Sequence, residues 1–184
     1  MARVLLLAVT LSSLSLSLLA QSTNRVEIFG GYSYFDGSYT GEGVFPNHPQ
    51  GWNASVTGKL NRWVGVTADF SGYSQSDGVG DSANAYNFLF GPTASITFHR
   101  LTPFAHFLLG DSHVNPSSGF KVLTSNNSFA FAVGGGLDYA VVKHIAVRAQ
   151  VDLLHNGFTT NDNQLQYRVD HNFPRVSTGI VLRF

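Results

Sequence analysis

Histidine, serine and aspartate are the side chains here that could carry acid–base or nucleophilic chemistry. The seven histidines are His48, His99, His106, His113, His144, His155 and His171. A metal centre or metal-dependent hydrolase needs such donors at a short regular spacing on one face, as in HExxH, and no such spacing occurs. A serine nucleophile needs a histidine within hydrogen-bond reach. Ser112 and His113 are adjacent, so on an extended chain they point to opposite faces. His106 and Ser112 share a parity, but a rise of ~3.3 Å per residue sets them roughly 20 Å apart. No histidine is followed two positions later by serine. The expectation is a protein that is not an enzyme, with no catalytic residue, metal or cofactor.

The charged residues carry a different signal. Four acids (Glu27, Asp69, Asp138, Asp152) and four bases (Lys59, Arg148, Arg175, Arg183) fall on the same, sparsely populated parity of extended segments. Asp138 and Arg148 flank a short turn near 142–144 at similar distances, which sets them level on neighbouring strands. Charges away from water need partners, so the expectation is a salt bridge in a filled interior. The sharper alternative is a narrow ion path.

These residues need a scaffold, and period-2 alternation dominates from residue 26 onward. Eight segments follow from it: 26–36, 51–60, 63–73, 84–99, 102–113, 128–141, 145–154 and 172–184. Most have ten residues or more, the length a tilted strand needs to cross a bilayer. The connections alternate. Residues 37–50, 74–83, 114–127 and 155–171 are long and polar, whereas Asn61-Arg62, Arg100-Leu101 and Val142-Lys143-His144 are tight. In an antiparallel order all tight turns fall at one end, together with both termini. Short turns at one end and long loops at the other mark an outer-membrane barrel.

The faces differ in kind. One face of the sixth segment is Phe129, Phe131, Val133, Leu137, Tyr139 and Val141; the other is Ala130, Ala132, Gly134, Gly136, Asp138 and Ala140. The seventh sets Ile145, Val147, Val151 and Leu153 against Ala146, Arg148, Gln150 and Asp152. Small residues and scattered charges suit a narrow lumen, and large apolar residues suit lipid. A water-exposed face would carry far more Lys and Glu. The fifth segment is less regular, with Pro103, Ala105, Phe107 and Leu109 favoured as its outward set. Outward aromatics sort to two heights: Tyr34, Trp52, Phe70, Tyr86 and Phe129 near the loops, and Phe98, Tyr139 and Phe184 near the turns. Two girdles of this kind mark the two membrane interfaces. The glycines of Gly134-Gly135-Gly136 read as room for lumen packing, since no strand-to-helix context makes them a phosphate loop.

Composition agrees. Charged residues are 12% of the chain, aromatics 13%, and Lys+Arg equals Asp+Glu at 11 each. So apolar a surface would aggregate unless a solvent other than water covered it, and no basic excess exists to recruit nucleic acid. Cysteine is absent, which excludes disulfides and thiolate sites. Arg3, the apolar run from Val4 and Leu18-Leu19-Ala20 before Gln21 together read as a cleavable export signal over residues 1–20. Residues 21–184 would then be a single barrel domain.

The segments "VEIFGGYSYF", "TPFAHFLLG", "FAFAVGGGLDYAV", "HIAVRAQVDLL" and "GIVLRF" resemble the small eight-stranded outer-membrane β-barrel family, OmpA-like or OmpX-like and often called porin-like. The resemblance spans residues 24–184 and stops at the barrel, without a peptidoglycan-binding domain. It implies an all-β, eight-stranded, antiparallel up-and-down transmembrane barrel in the outer membrane of a Gram-negative-type cell. It also implies that Ile180, Leu182 and Phe184 form the C-terminal signal read by the barrel-assembly machinery. The expected partners are outer-membrane lipid, that machinery and an extracellular loop partner. The expected role is structural, supporting envelope integrity or loop-mediated surface interaction. A narrow channel for ions or small solutes is the alternative. A soluble calycin-like carrier and a lipid-modifying enzyme stand lower, the first because of the face pattern and the second because no His-x-Ser pair exists.

Overall fold

A computed structural model describes residues 25–35, 50–76, 82–116, 126–162 and 165–184. The expected export signal and His48 lie outside the described residues. Eight strands follow one another: β1 (Val26–Phe35), β2 (Gln50–Lys59), β3 (Val64–Ser76), β4 (Ser82–Ser95), β5 (Leu101–Pro116), β6 (Asn126–Val142), β7 (Ile145–Asp162) and β8 (Leu165–Arg183). Each pairs antiparallel with its sequence neighbours. β8 returns to pair with β1 from Glu27↔Arg183 to Phe35↔Arg175 and closes the barrel. Closure leaves no unpaired strand edge, a requirement wherever no water can satisfy the backbone.

The period-2 pattern becomes two surfaces. Ile28, Val56, Phe70, Phe88, Phe107, Val133, Val151 and Ile180 are exposed on the outside, while their strand neighbours are buried. In β5 the outward set is Pro103, Ala105, Phe107 and Leu109, and Phe104, His106 and Leu108 turn inward. The interior is less uniformly small and polar than the alternation suggested. Tyr73, Leu89, Leu108, Ala130, Ala132 and Leu154 form an apolar layer on the loop side of the lumen, and Phe29, Ala146 and Val181 form a second cluster. Parity decided these positions: each large residue follows its strand inward once the charges beside it have set the register.

The three turns are tight. Asn61 Oδ1 accepts from the backbone N–H groups of Trp63 and Val64, an Asx turn that fixes residues 60–63. The β4–β5 turn sits one residue earlier than the sequence suggested, on His99-Arg100, with His99 at φ 54° and Phe98 bridging Leu101. Asparagine, aspartate and histidine tolerate that left-handed conformation better than most residues. Lys143-His144 joins β6 to β7. The largest departure concerns residues 155–171, expected as a long loop. There β7 and β8 continue as a paired ladder out to Asp162↔Leu165. Thr159, Thr160, Tyr167 and Val169 favour extended backbone, but the Asn, Asp and Gln among them mimic loop composition. Pro92 has no N–H to donate, and the β4–β5 ladder skips from Phe90↔Leu109 to Thr93↔His106 beside it.

Candidate functional site: the lumen

All eight charged residues of the minority parity point into the lumen, and Lys59 is the least buried of them. They assemble into two clusters. The upper one is centred on Arg175, which is fully buried. Its Nε and Nη2 donate to Asp152 Oδ2 at 2.8 and 2.5 Å, and its Nη1 donates to Asp69 Oδ1 at 3.0 Å and to Ser71 Oγ at 3.3 Å. Asn53 Nδ2 donates to the other oxygen of Asp69 at 2.8 Å. Gln150 Nε2 bridges Asp152 Oδ2 (3.2 Å) and Asn53 Oδ1 (3.3 Å). His106 Nε2 lies 2.8 Å from Asp152 Oδ1. An ionised carboxylate only accepts, so this nitrogen carries the proton.

The lower cluster lies nearer the turns. Arg148 holds Asp138 with two near-parallel bonds, Nε to Oδ1 at 2.7 Å and Nη2 to Oδ2 at 2.9 Å. Their pairing in the β6–β7 register produces this contact. The Arg148 guanidinium also stacks over Phe104, 4.2 Å from the ring centroid, with Phe29 at 5.2 Å. Arg183 Nη2 donates to the same Asp138 Oδ2 at 2.8 Å. Its Nε faces Glu27 Oε1 at 3.3 Å, close enough for an ion pair but without hydrogen-bond alignment. Lys59 Nζ lies 3.6 Å from Glu27 and donates to Ser95 Oγ at 2.6 Å.

Sequence reasoning found the charges but missed the neutral groups that join them. His106, Asn53, Gln150 and Ser71 complete the upper cluster. A hydroxyl ladder, Thr57–Thr67 at 2.8 Å and Thr67–Thr93 at 2.6 Å, lines the wall below it. Their parity was legible, but the contacts of His106 with Asp152, Gln150 with Asn53 and Ser71 with Arg175 join strands distant in sequence. A cavity of about 10 Å³ sits among these hydroxyls, Lys59, His106 and Arg148, with room for roughly one water molecule. The apolar layer of Leu89, Leu108, Leu154 and Tyr73 lies on its loop side. Gly134 and Gly136 are inward, and a methyl group at Gly134 would fall onto Asp152 Oδ1. Here glycine is required by close approach.

The other named residues take these places. Ile180, Leu182 and Phe184 are exposed on the outer face of β8, and Phe184 pairs through its backbone with Arg25 and Val26. Trp52, Phe70, Tyr86, Phe98, Phe129 and Tyr139 are exposed outward, and Tyr34 is half-buried with the same parity. Trp63, unnamed in the girdles, is exposed at the turn end, and Phe88 and Phe90 extend the aromatic face of β4 beyond the two expected heights. His99 and His144 lie on turns, and His155 contacts Asn172 Oδ1 at 2.8 Å. Among the described residues, no three His, Asp or Glu side chains converge as metal ligands.

A closed ring of eight antiparallel strands, apolar outside and filled by ion pairs inside, defines a small transmembrane β-barrel. The chain belongs to the outer membrane protein beta-barrel domain family, which matches residues 4–182. Solved structures share the fold at low identity. Neisserial surface protein A is 14% identical with a TM-score of 0.65, covering 89% of this chain and 98% of its own. Ail, the attachment invasion locus protein of Yersinia pestis, is 18% identical with a TM-score of 0.61, covering 89% and 100%. OprG of Pseudomonas aeruginosa is 12% identical with a TM-score of 0.60, covering 88% and 96%. No curated protein matches the sequence.

Proposed function

We propose that this is a non-enzymatic outer-membrane barrel of a Gram-negative-type envelope. Its work is structural or is done by the segments at its loop end, which meet an extracellular partner. The observation that carries this reading is the filled lumen. Two ion-pair clusters and an apolar layer occupy the path a solute would take. Such an interior stiffens a scaffold, and among the described residues it fills the lumen but for a cavity of about 10 Å³. Among proteins of similar fold, the Yersinia pestis protein is named for attachment and invasion, so this architecture serves surface contact elsewhere. In this reading residues 1–20 are a cleaved export signal, and Ile180, Leu182 and Phe184 are presented to the assembly machinery. The outer aromatic rings sit against outer-membrane lipid.

Fractionation and conductance on one preparation test it. The expected result is heat-modifiable migration, recovery in the outer membrane and silence in planar bilayers. Recovery as a soluble periplasmic monomer would refute the location, and stable single-channel steps would replace the scaffold reading with the channel.

A further inference from the structure

The chain's formal charge of zero conceals a local excess of positive charge. At the turn end, four cationic residues sit at the four junctions between strands: Arg62 between β2 and β3, Arg100 between β4 and β5, Lys143 between β6 and β7, and Arg25 where β8 meets β1. All four are exposed. Junctions recur every second strand in a closed ring of eight, so the cations stand at quarter intervals around the rim. No aspartate or glutamate side chain offsets them on that rim among the described residues. Glu27, the nearest acid, points into the lumen and is engaged by Lys59 and Arg183.

Each cation also adjoins an outward apolar anchor. Arg62 stacks over Trp63, 4.2 Å from the ring centroid. Arg100 follows Phe98 in its turn, Lys143 follows the exposed Val142, and the backbone of Arg25 pairs with Phe184. An aromatic at the interface with a cation beside it places that cation at headgroup depth. We infer that the turn-end rim is a basic collar that binds anionic phospholipid headgroups in the membrane leaflet facing the turns. Even spacing around the circumference favours lipid, which surrounds the barrel, over a protein, which would meet one side or cap the mouth. The inference rests on the membrane-spanning reading above.

The two tryptophans allow the ends to be read separately. Trp52→Phe leaves Trp63 as the sole tryptophan at the turn end, and Trp63→Phe leaves Trp52 toward the loop end. Each variant is refolded into phosphatidylcholine vesicles containing phosphatidylglycerol, with one lipid or the other brominated as a quencher. At low salt, brominated phosphatidylglycerol should quench Trp63 about fivefold more effectively than brominated phosphatidylcholine, the factor one cation near an anionic surface supplies. The preference should fade with salt. It should vanish when Arg25, Arg62, Arg100 and Lys143 are all replaced by Gln, and a variant retaining Arg62 should keep part of it. Trp52 should show no preference. Equal quenching of Trp63 by both lipids, or a preference that survives the fourfold replacement, overturns the collar. Absence of quenching at either tryptophan by either lipid overturns the membrane-spanning reading instead. Crosslinking of Lys143 to a periplasmic protein in cells, with no lipid preference in vesicles, replaces the lipid with a protein partner.

Discussion

Arg175→Met should be among the most damaging single substitutions in the barrel. Methionine fills much of the arginine's volume and removes the charge and every donor. In the native protein one guanidinium serves two carboxylates, at 2.5–3.0 Å. Arg175 and Asp152 are fully buried and Asp69 is 1% exposed, so water cannot take the vacated place without opening the lumen. Removing one member of a buried ion pair costs about 3–5 kcal/mol, because the remaining charge is orphaned. That lowers the folded-to-unfolded ratio by about two to four orders of magnitude. Equilibrium urea unfolding from vesicles, followed by tryptophan fluorescence and by gel migration of unheated samples, measures it. A companion variant separates orphaned charge from lost packing. Adding Asp69→Asn and Asp152→Asn to Arg175→Met removes both orphans and should recover most of the loss. A penalty below about 1 kcal/mol for Arg175→Met would refute the argument, since that is the worth of an exposed pair. A triple variant no more stable than the single one would refute it too.

Asp138→Asn should cost about 1–3 kcal/mol, because Arg148 and Arg183 both donate to that carboxylate; the same urea titration reads it. Gly134→Ala should destabilise by about 1–3 kcal/mol, since its methyl would displace Asp152 from His106 and Arg175, while Gly58→Ala, with open space around it, should change little. The double variant Leu108→Ser/Leu154→Ser should produce conductance steps in planar bilayers if the apolar layer is the seal; continued silence would assign the seal to the ion pairs. Deleting Phe184 should lower the level of assembled barrel in cells, read by surface labelling, and normal levels would show that the assembly signal lies elsewhere.

Much of the architecture was already legible along the chain. Alternation with period 2 reports which side of a pleated strand each residue takes, because successive side chains must point to opposite faces. It therefore separated Val147 and Val151 from Arg148 and Asp152 and gave the strand number. It also supplied the alternation of tight and long connections that sets the two ends apart. It placed Asp138 beside Arg148 because ten residues and one turn separate them, a local relation that a hairpin alone enforces. The 155–171 segment misled because Asn, Asp and Gln populate both loops and strand extensions, and composition carries no information about which ladder a backbone will join.

Only closure of the barrel decided the rest. Arg175 and Asp69 are 106 positions apart, and Ser33 and Ser177 are 144 apart. No periodicity relates such pairs, because their separation is set by the register in which β8 meets β1 and by the radius of the ring. Parity favoured an inward His106 without deciding it, and gave no sign that Asp152 would stand 2.8 Å away. Leu89, Leu108 and Leu154 are unremarkable singly and become a layer only when β7 is brought across the lumen from the β4–β5 hairpin. The basic collar is of the same kind: Arg25, Arg62, Arg100 and Lys143 are scattered cations in the sequence, and a rim only in a closed ring. Local sterics write the faces of each strand into its sequence, whereas which strands look at one another across the lumen is a property of the closed barrel.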